Sequence, residues 1–98
     1  MTINAILLDE KDNVVTCVQD VKAGEEVVYR AGDGLRTLTA AQPIPGCHKV
    51  ALRDIGEGED VIKYGEMIGR TSSPIAKGCH VNEYNIYSVP RDYDSELV

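Results

Sequence analysis

Two stretches of this chain repeat one frame, and the repetition restricts the fold more than any other feature. Asp20-Val21-Lys22-Ala23-Gly24-Glu25-Glu26-Val27-Val28 aligns with Asp54-Ile55-Gly56-Glu57-Gly58-Glu59-Asp60-Val61-Ile62 at an offset of 34. Each stretch follows a presumed strand, and each reads as Asp-apolar-x-x-Gly-Glu, then an acid and two β-branched residues. One account is local: Asp caps a turn, Gly supplies positive φ, and the apolar pair opens the next strand. The other is a pseudo-symmetric β-unit built from two similar halves, an internal two-fold pseudo-repeat. Two copies exclude a solenoid, which needs three or more. Both accounts predict a small, mostly-β domain with short helical turns.

The rest of the chain is punctuated in the same way. Ile3–Leu8, Val14–Val18, Glu26–Arg30, Lys49–Arg53 and Asp60–Tyr64 read as strands. Leu35–Gln42 fits a strand or a single helical turn, and Gly65–Gly69 a tight turn or a short helix. Pro43-Ile44-Pro45-Gly46 fits neither helix nor strand, because proline lacks an N–H and fixes φ. Val81–Val89 is rich in β-formers. The 98 residues allow one domain. It is expected over residues 1–89, with residues 90–98 as an acidic flexible tail or linker.

Charge and cysteine usage narrow the function. Ten Lys and Arg against 16 Asp and Glu give a net charge of −6. That argues against nucleic acid or an anionic membrane as partner, since both need clustered cations. No apolar run approaches the roughly 18–20 residues of a membrane span. The start, Met1-Thr2-Ile3-Asn4, has no basic n-region, so the expected compartment is the cytoplasm. Cys17, Cys47 and Cys79 form no CxxC, which argues against a disulfide framework. They read as reduced thiols serving as small buried hydrophobes.

The two histidines share a local setting, Gly46-Cys47-His48-Lys49 and Lys77-Gly78-Cys79-His80. Adjacent strand residues point to opposite faces. One face then collects His48 and His80 and the other Cys47 and Cys79, which argues against a four-ligand zinc site. His80-Val81-Asn82-Glu83-Tyr84-Asn85 is polar on both faces if extended, with His80, Asn82 and Tyr84 on one. That pattern suits a rim that meets a ligand, a metal or another chain, or a solvated edge strand. Lys49 and Arg70 are cations able to hold a carboxylate. No P-loop, GxGxxG, GxSxG or HExxH occurs, so the chain carries no self-contained catalytic set.

The segment Ile44-Pro45-Gly46-Cys47-His48-Lys49-Val50-Ala51-Leu52-Arg53-Asp54-Ile55, then Gly58-Glu59, then Val61-Ile62-Lys63-Tyr64-Gly65-Glu66-Met67-Ile68-Gly69, resembles the SAF-type domain of the altronate/galactarate dehydratase family. The resemblance covers residues 12–89. It implies a β-clip fold and a role as the small subunit, or N-terminal domain, of a sugar-acid dehydratase that works with a large catalytic subunit. The implied reaction removes the proton α to a carboxylate and expels the β-hydroxyl as water. The implied cofactor is a divalent metal, Fe²⁺ or Mn²⁺, held mainly by the large subunit. A related branch eliminates sulfite from sulfolactate.

Altronate-type members carry Gly-x-His-Val-His-x-His-Asn where this chain has Gly78-Cys79-His80-Val81-Asn82-Glu83-Tyr84-Asn85; the second and third histidines are replaced by Asn82 and Tyr84. The resemblance implies catalytic roles for His48 and His80, substrate binding by Lys49, Asn82, Tyr84 and Asn85, and a metal contact at His80. Two other readings stand beside it: a non-catalytic small-ligand-binding β-clip module, and an assembly protein built on exposed strand edges.

Overall fold

The computed structural model describes residues 2–89; the expected acidic tail over residues 90–98 lies outside the described residues. Among the described residues, nine strands form three antiparallel sheets. Strands β1 (Ala5–Ile6), β2 (Val14–Cys17), β5 (Lys49–Ala51) and β8 (His80–Val81) make a four-stranded sheet in the order β1-β2-β5-β8. The hairpin of β3 (Glu26–Ala31) and β4 (Gly34–Thr39) is a second sheet packed against it, and β6 (Asp60–Lys63), β7 (Glu66–Thr71) and β9 (Ile86–Tyr87) form the third. The mostly-β expectation and the β-clip class hold.

The short helical turns do not: no helix occurs among the described residues. Leu35–Thr39 lies in β4, paired residue for residue with β3. The other suspected segment, Gly65–Gly69, is strand β7 from Glu66 onward, entered through the tip of the β6–β7 hairpin, where Tyr64 and Gly65 both have positive φ, 60° and 73°. Two successive left-handed residues make a two-residue turn of the I′ kind, whose twist matches the strands it joins. The buried Asp12 holds it, accepting from the Tyr64 N–H at 3.2 Å and the Gly65 N–H at 2.8 Å.

The repeat is real, and it is finer than the offset of 34 suggests. Four turns share one frame: a buried apolar anchor, a left-handed residue three positions on, and a fully buried valine three positions after that. The anchors are Val21, Ile44, Ile55 and Ile75, joined in pairs by the antiparallel bridges Val21–Ile44 and Ile55–Ile75. The left-handed residues are Gly24, Cys47, Gly58 and Gly78. The valines are Val27, Val50, Val61 and Val81.

The side chains between these positions close the turns. Glu25 Oε1 accepts from the Lys22 N–H at 2.7 Å, and Glu59 Oε1 from the Gly56 N–H at 3.0 Å. Asp20 and Asp54 do not cap their own turns. They reach the paired ones, accepting from the Gly46 N–H at 2.8 Å and the Lys77 N–H at 2.9 Å. Asn4 and Asn13 complete the correspondence. Asn4 accepts from the Val28 N–H and donates to the Glu26 carbonyl; Asn13 does the same with Ile62 and Asp60.

The two units overlap, because β2 and β5 serve in both. Successive residues of a strand face opposite ways. Val15 and Val50 therefore enter one core with Val21, Val27, Leu38 and Ile44, while Val14 and Ala51 enter the other with Ile55, Val61, Ile75 and Val81. A strand covered on both faces has no polar side to show, which is why Val14-Val15 and Val50-Ala51 are continuous apolar runs. Each fully buried valine contributes about 1.5–3 kcal/mol relative to exposure.

Candidate functional site

The paired turns deliver the two histidines to one place. His48 ends the turn before β5, with its carbonyl accepting from the Cys17 N–H at 2.9 Å. His80 opens β8, its N–H donating to Gln42 Oε1 at 2.8 Å. Val50 faces His80 across the β5–β8 ladder, so His48 lies one step beyond on the same side. The rings meet, with His48 Nδ1 2.8 Å from His80 Nε2 and centroids 4.9 Å apart.

An open cleft of about 640 Å³ surrounds the pair, walled by Cys47, His48, Lys49, His80, Asn82, Glu83 and Tyr84. Lys49 is half-buried beside it, and burial, then the nearby Lys63, pushes its ammonium below the usual lysine range. Burial, then the neighbouring His48 and Lys49, holds the His80 imidazole below its ordinary value. Among the described residues, Lys49 is the one cationic side chain on the cleft wall and Glu83 the one carboxylate, so an anionic oxygen is favoured at the Lys49 end.

The segment Asn82–Asn85 departs from the extended reading. It is a tight turn, with the Ile86 and Asn85 N–H groups both donating to the Asn82 carbonyl. Asn82 and Asn85 drive it: Asn82 Oδ1 accepts from the Tyr84 N–H, and Asn85 Oδ1 from the Asn82 N–H, each at 2.8 Å. Asparagine side chains that bind nearby backbone favour turns over strands.

Tyr84 stands at the rim, 86% exposed. Asn85 braces the cleft from behind instead of lining it, since its Nδ2 donates to the His80 carbonyl at 2.8 Å. Arg70 lies elsewhere, paired with Asp60 at 3.0 Å. The cysteines also divide: Cys17 is buried, Cys79 half-buried, and Cys47 exposed on the cleft wall. Cys47 has φ 69° where the equivalent turns carry glycine.

A metal finds no fitting set in these residues. Among the described residues no three His, Cys, Asp or Glu side chains converge, and both ring nitrogens of His80 are engaged, one by His48 and one by Asn82. Sequence reasoning missed Gln42, which anchors His80, and Cys47 as cleft lining. Pro43-Ile44 and Pro74-Ile75, at an offset of 31, mark the second pair of equivalent turns, but that offset matches Gln42 with Ser73 and carries no signal for its contact with His80.

Residues 3–89 match the altronate/galactarate dehydratase SAF domain. The chain is 39% identical over 89 residues to the (2R)-sulfolactate sulfo-lyase subunit alpha of Chromohalobacter salexigens, covering 88% of this chain and 95% of that one. It is 40% identical over 83 residues to the altronate dehydratase of Escherichia coli, covering 85% of this chain and 16% of that protein. It is 39% identical over 80 residues to the galactarate dehydratase (L-threo-forming) of the same organism, covering 80% of this chain and 14% of that protein. The aligned region therefore spans nearly all of the sulfo-lyase subunit and about a sixth of each dehydratase.

Proposed function

Because this chain belongs to the altronate/galactarate dehydratase SAF-domain family, we propose that it completes the active site of a lyase that eliminates water from a sugar acid. The observation that carries this reading is the convergence of His48, His80 and Lys49 on one open cleft. In this reading Lys49 and the histidine pair hold the substrate's acid group where a larger catalytic chain meets the cleft. Abstraction of the α-proton, and the divalent ion, fall to that larger chain. The compartment on this reading is the cytoplasm.

A second reading, in which the substrate is sulfolactate and sulfite leaves, is favoured by the alignment over 95% of the sulfo-lyase subunit alpha. A sulfonate and a carboxylate both offer an anionic oxygen to the Lys49 ammonium, so the cleft supports either substrate.

The test is reconstitution with the larger chain. The complex is assayed on altronate, galactarate and (2R)-sulfolactate for oxo-acid formation and for released sulfite. Lys49→Ala in the active complex is expected to lower kcat/KM about 10- to 100-fold, the loss of one charge-assisted contact. Wild-type-like kcat/KM in Lys49→Ala overturns the assignment of the cleft, and sulfite release selects the second reading.

A further inference from the structure

The orientation of one amide settles where the protons of the histidine pair sit. Asn82 Oδ1 accepts from the Tyr84 N–H at 2.8 Å, and only the oxygen of an amide can accept. The Asn82 Nδ2 group is therefore the end that faces His80 Nδ1, at 3.3 Å. An NH₂ group donates, so His80 Nδ1 carries the lone pair and the His80 proton is on Nε2. That N–H points at His48 Nδ1, 2.8 Å away, which must accept. The neutral His48 then carries its own proton on Nε2, the ring nitrogen with no protein partner among the described residues.

We propose that Asn82 is a positioning residue that fixes both imidazoles as Nε2–H tautomers, so that His48 presents a hydrogen-bond donor to the cleft for an anionic oxygen of a carboxylate or sulfonate. In this state the pair offers the cleft no lone pair. It is neither a general base nor a metal ligand there. Protonating the pair would place an N–H of His80 against the Asn82 NH₂ group, so the same amide resists the cationic form. Lys49, on the cleft wall, and Glu83 at its rim are the charged groups facing the pair. The use made of this donor rests on the lyase reading above; the proton positions do not.

Asn82→Asp tests the idea with almost no change of shape. One carboxylate oxygen keeps the Tyr84 N–H, while the other now accepts where Nδ2 donated. Both tautomers should reverse, leaving a lone pair on His48 Nε2. The measurement is long-range ¹H–¹⁵N correlation of the imidazoles in the full chain at about pH 8, above the ordinary histidine range. Wild type is expected to show protonated Nε2 and bare Nδ1 on both rings, and Asn82→Asp the reverse. Protonated Nδ1 on His80 in the wild type, or an unchanged pattern in a folded Asn82→Asp, overturns the proposal. If Asn82→Asp does not fold, the wild-type spectrum decides alone. No substrate or partner enters this measurement, so its failure is distinct from failure of the lyase reading.

Discussion

The turn that carries His48 and the turn that leads to His80 are equivalent in the repeat, yet they are built differently at their tightest point. Gly78 has φ +87°, and a Cβ there would sit 2.4 Å from the Thr39 carbonyl oxygen. Cys47 occupies the same place with a side chain and φ 69°. One turn is packed against the neighbouring hairpin, and the other opens onto the cleft. The difference shows how a symmetric frame makes an asymmetric site. The Gly-Cys-His triplets are one residue out of register, so His80 is equivalent to Lys49, not to His48. The two histidines meet because they are not related by the repeat.

The largest expected effect breaks that comparison at Gly78. Gly78→Ala combines a left-handed backbone with a backbone clash and should cost about 3 kcal/mol in denaturant unfolding. Gly24→Ala and Gly58→Ala, with nothing within 4 Å of the added carbon, should cost only about 1 kcal/mol. Equal losses at all three sites would show that crowding at Gly78 does not matter.

The paired asparagines come next. Asn13 is buried, 4% exposed, and Asn4 half-buried. Asn13→Ala strands the Ile62 N–H and the Asp60 carbonyl and should cost about 2–3 kcal/mol, against about 1 kcal/mol for Asn4→Ala. The reverse order in thermal melts would overturn the claim that burial sets the cost. Cys47→Gly relieves the left-handed strain and should raise stability by up to about 1 kcal/mol.

The smallest effect is in pH dependence. His80 is held below its ordinary value, so the unfolded chain takes up that proton more readily than the native one. The stability linked to His80 is full above the unfolded value, about pH 6.5, and is lost as pH falls through the lower native value. Melting temperature should therefore drop more in the wild type than in His80→Gln between about pH 8 and pH 5; parallel curves would contradict it.

The strands were legible because valine, isoleucine and glycine recur where a covered sheet needs them. One pair of repeated turns was legible for the same reason. The second pair was hidden, since proline replaces aspartate at Pro43 and Pro74 and cysteine replaces glycine at Cys47. The matched triplets around His48 and His80 were visible, but they suggested a symmetry that the backbone does not have. Asn82–Asn85 reads as extended because Val81–Val89 is rich in β-formers, although its polar residues fall on both faces. Two asparagine-to-backbone bonds outweigh that pattern.

The sharing of β2 and β5 between the two units bears on how the chain reaches its native state. Neither half contains a complete set of strands, so a nascent chain released through β4 holds β1, β2 and an unfinished first core. Closure of that core waits for β5, and closure of the second waits for β8, more than sixty positions after β2. The pairings that close the cores, β2 with β5 and β5 with β8, join residues 30 to 37 positions apart, and pairings this distant slow the search. The expected kinetics are a single cooperative phase in which both cores form together, without a half-built species to accumulate.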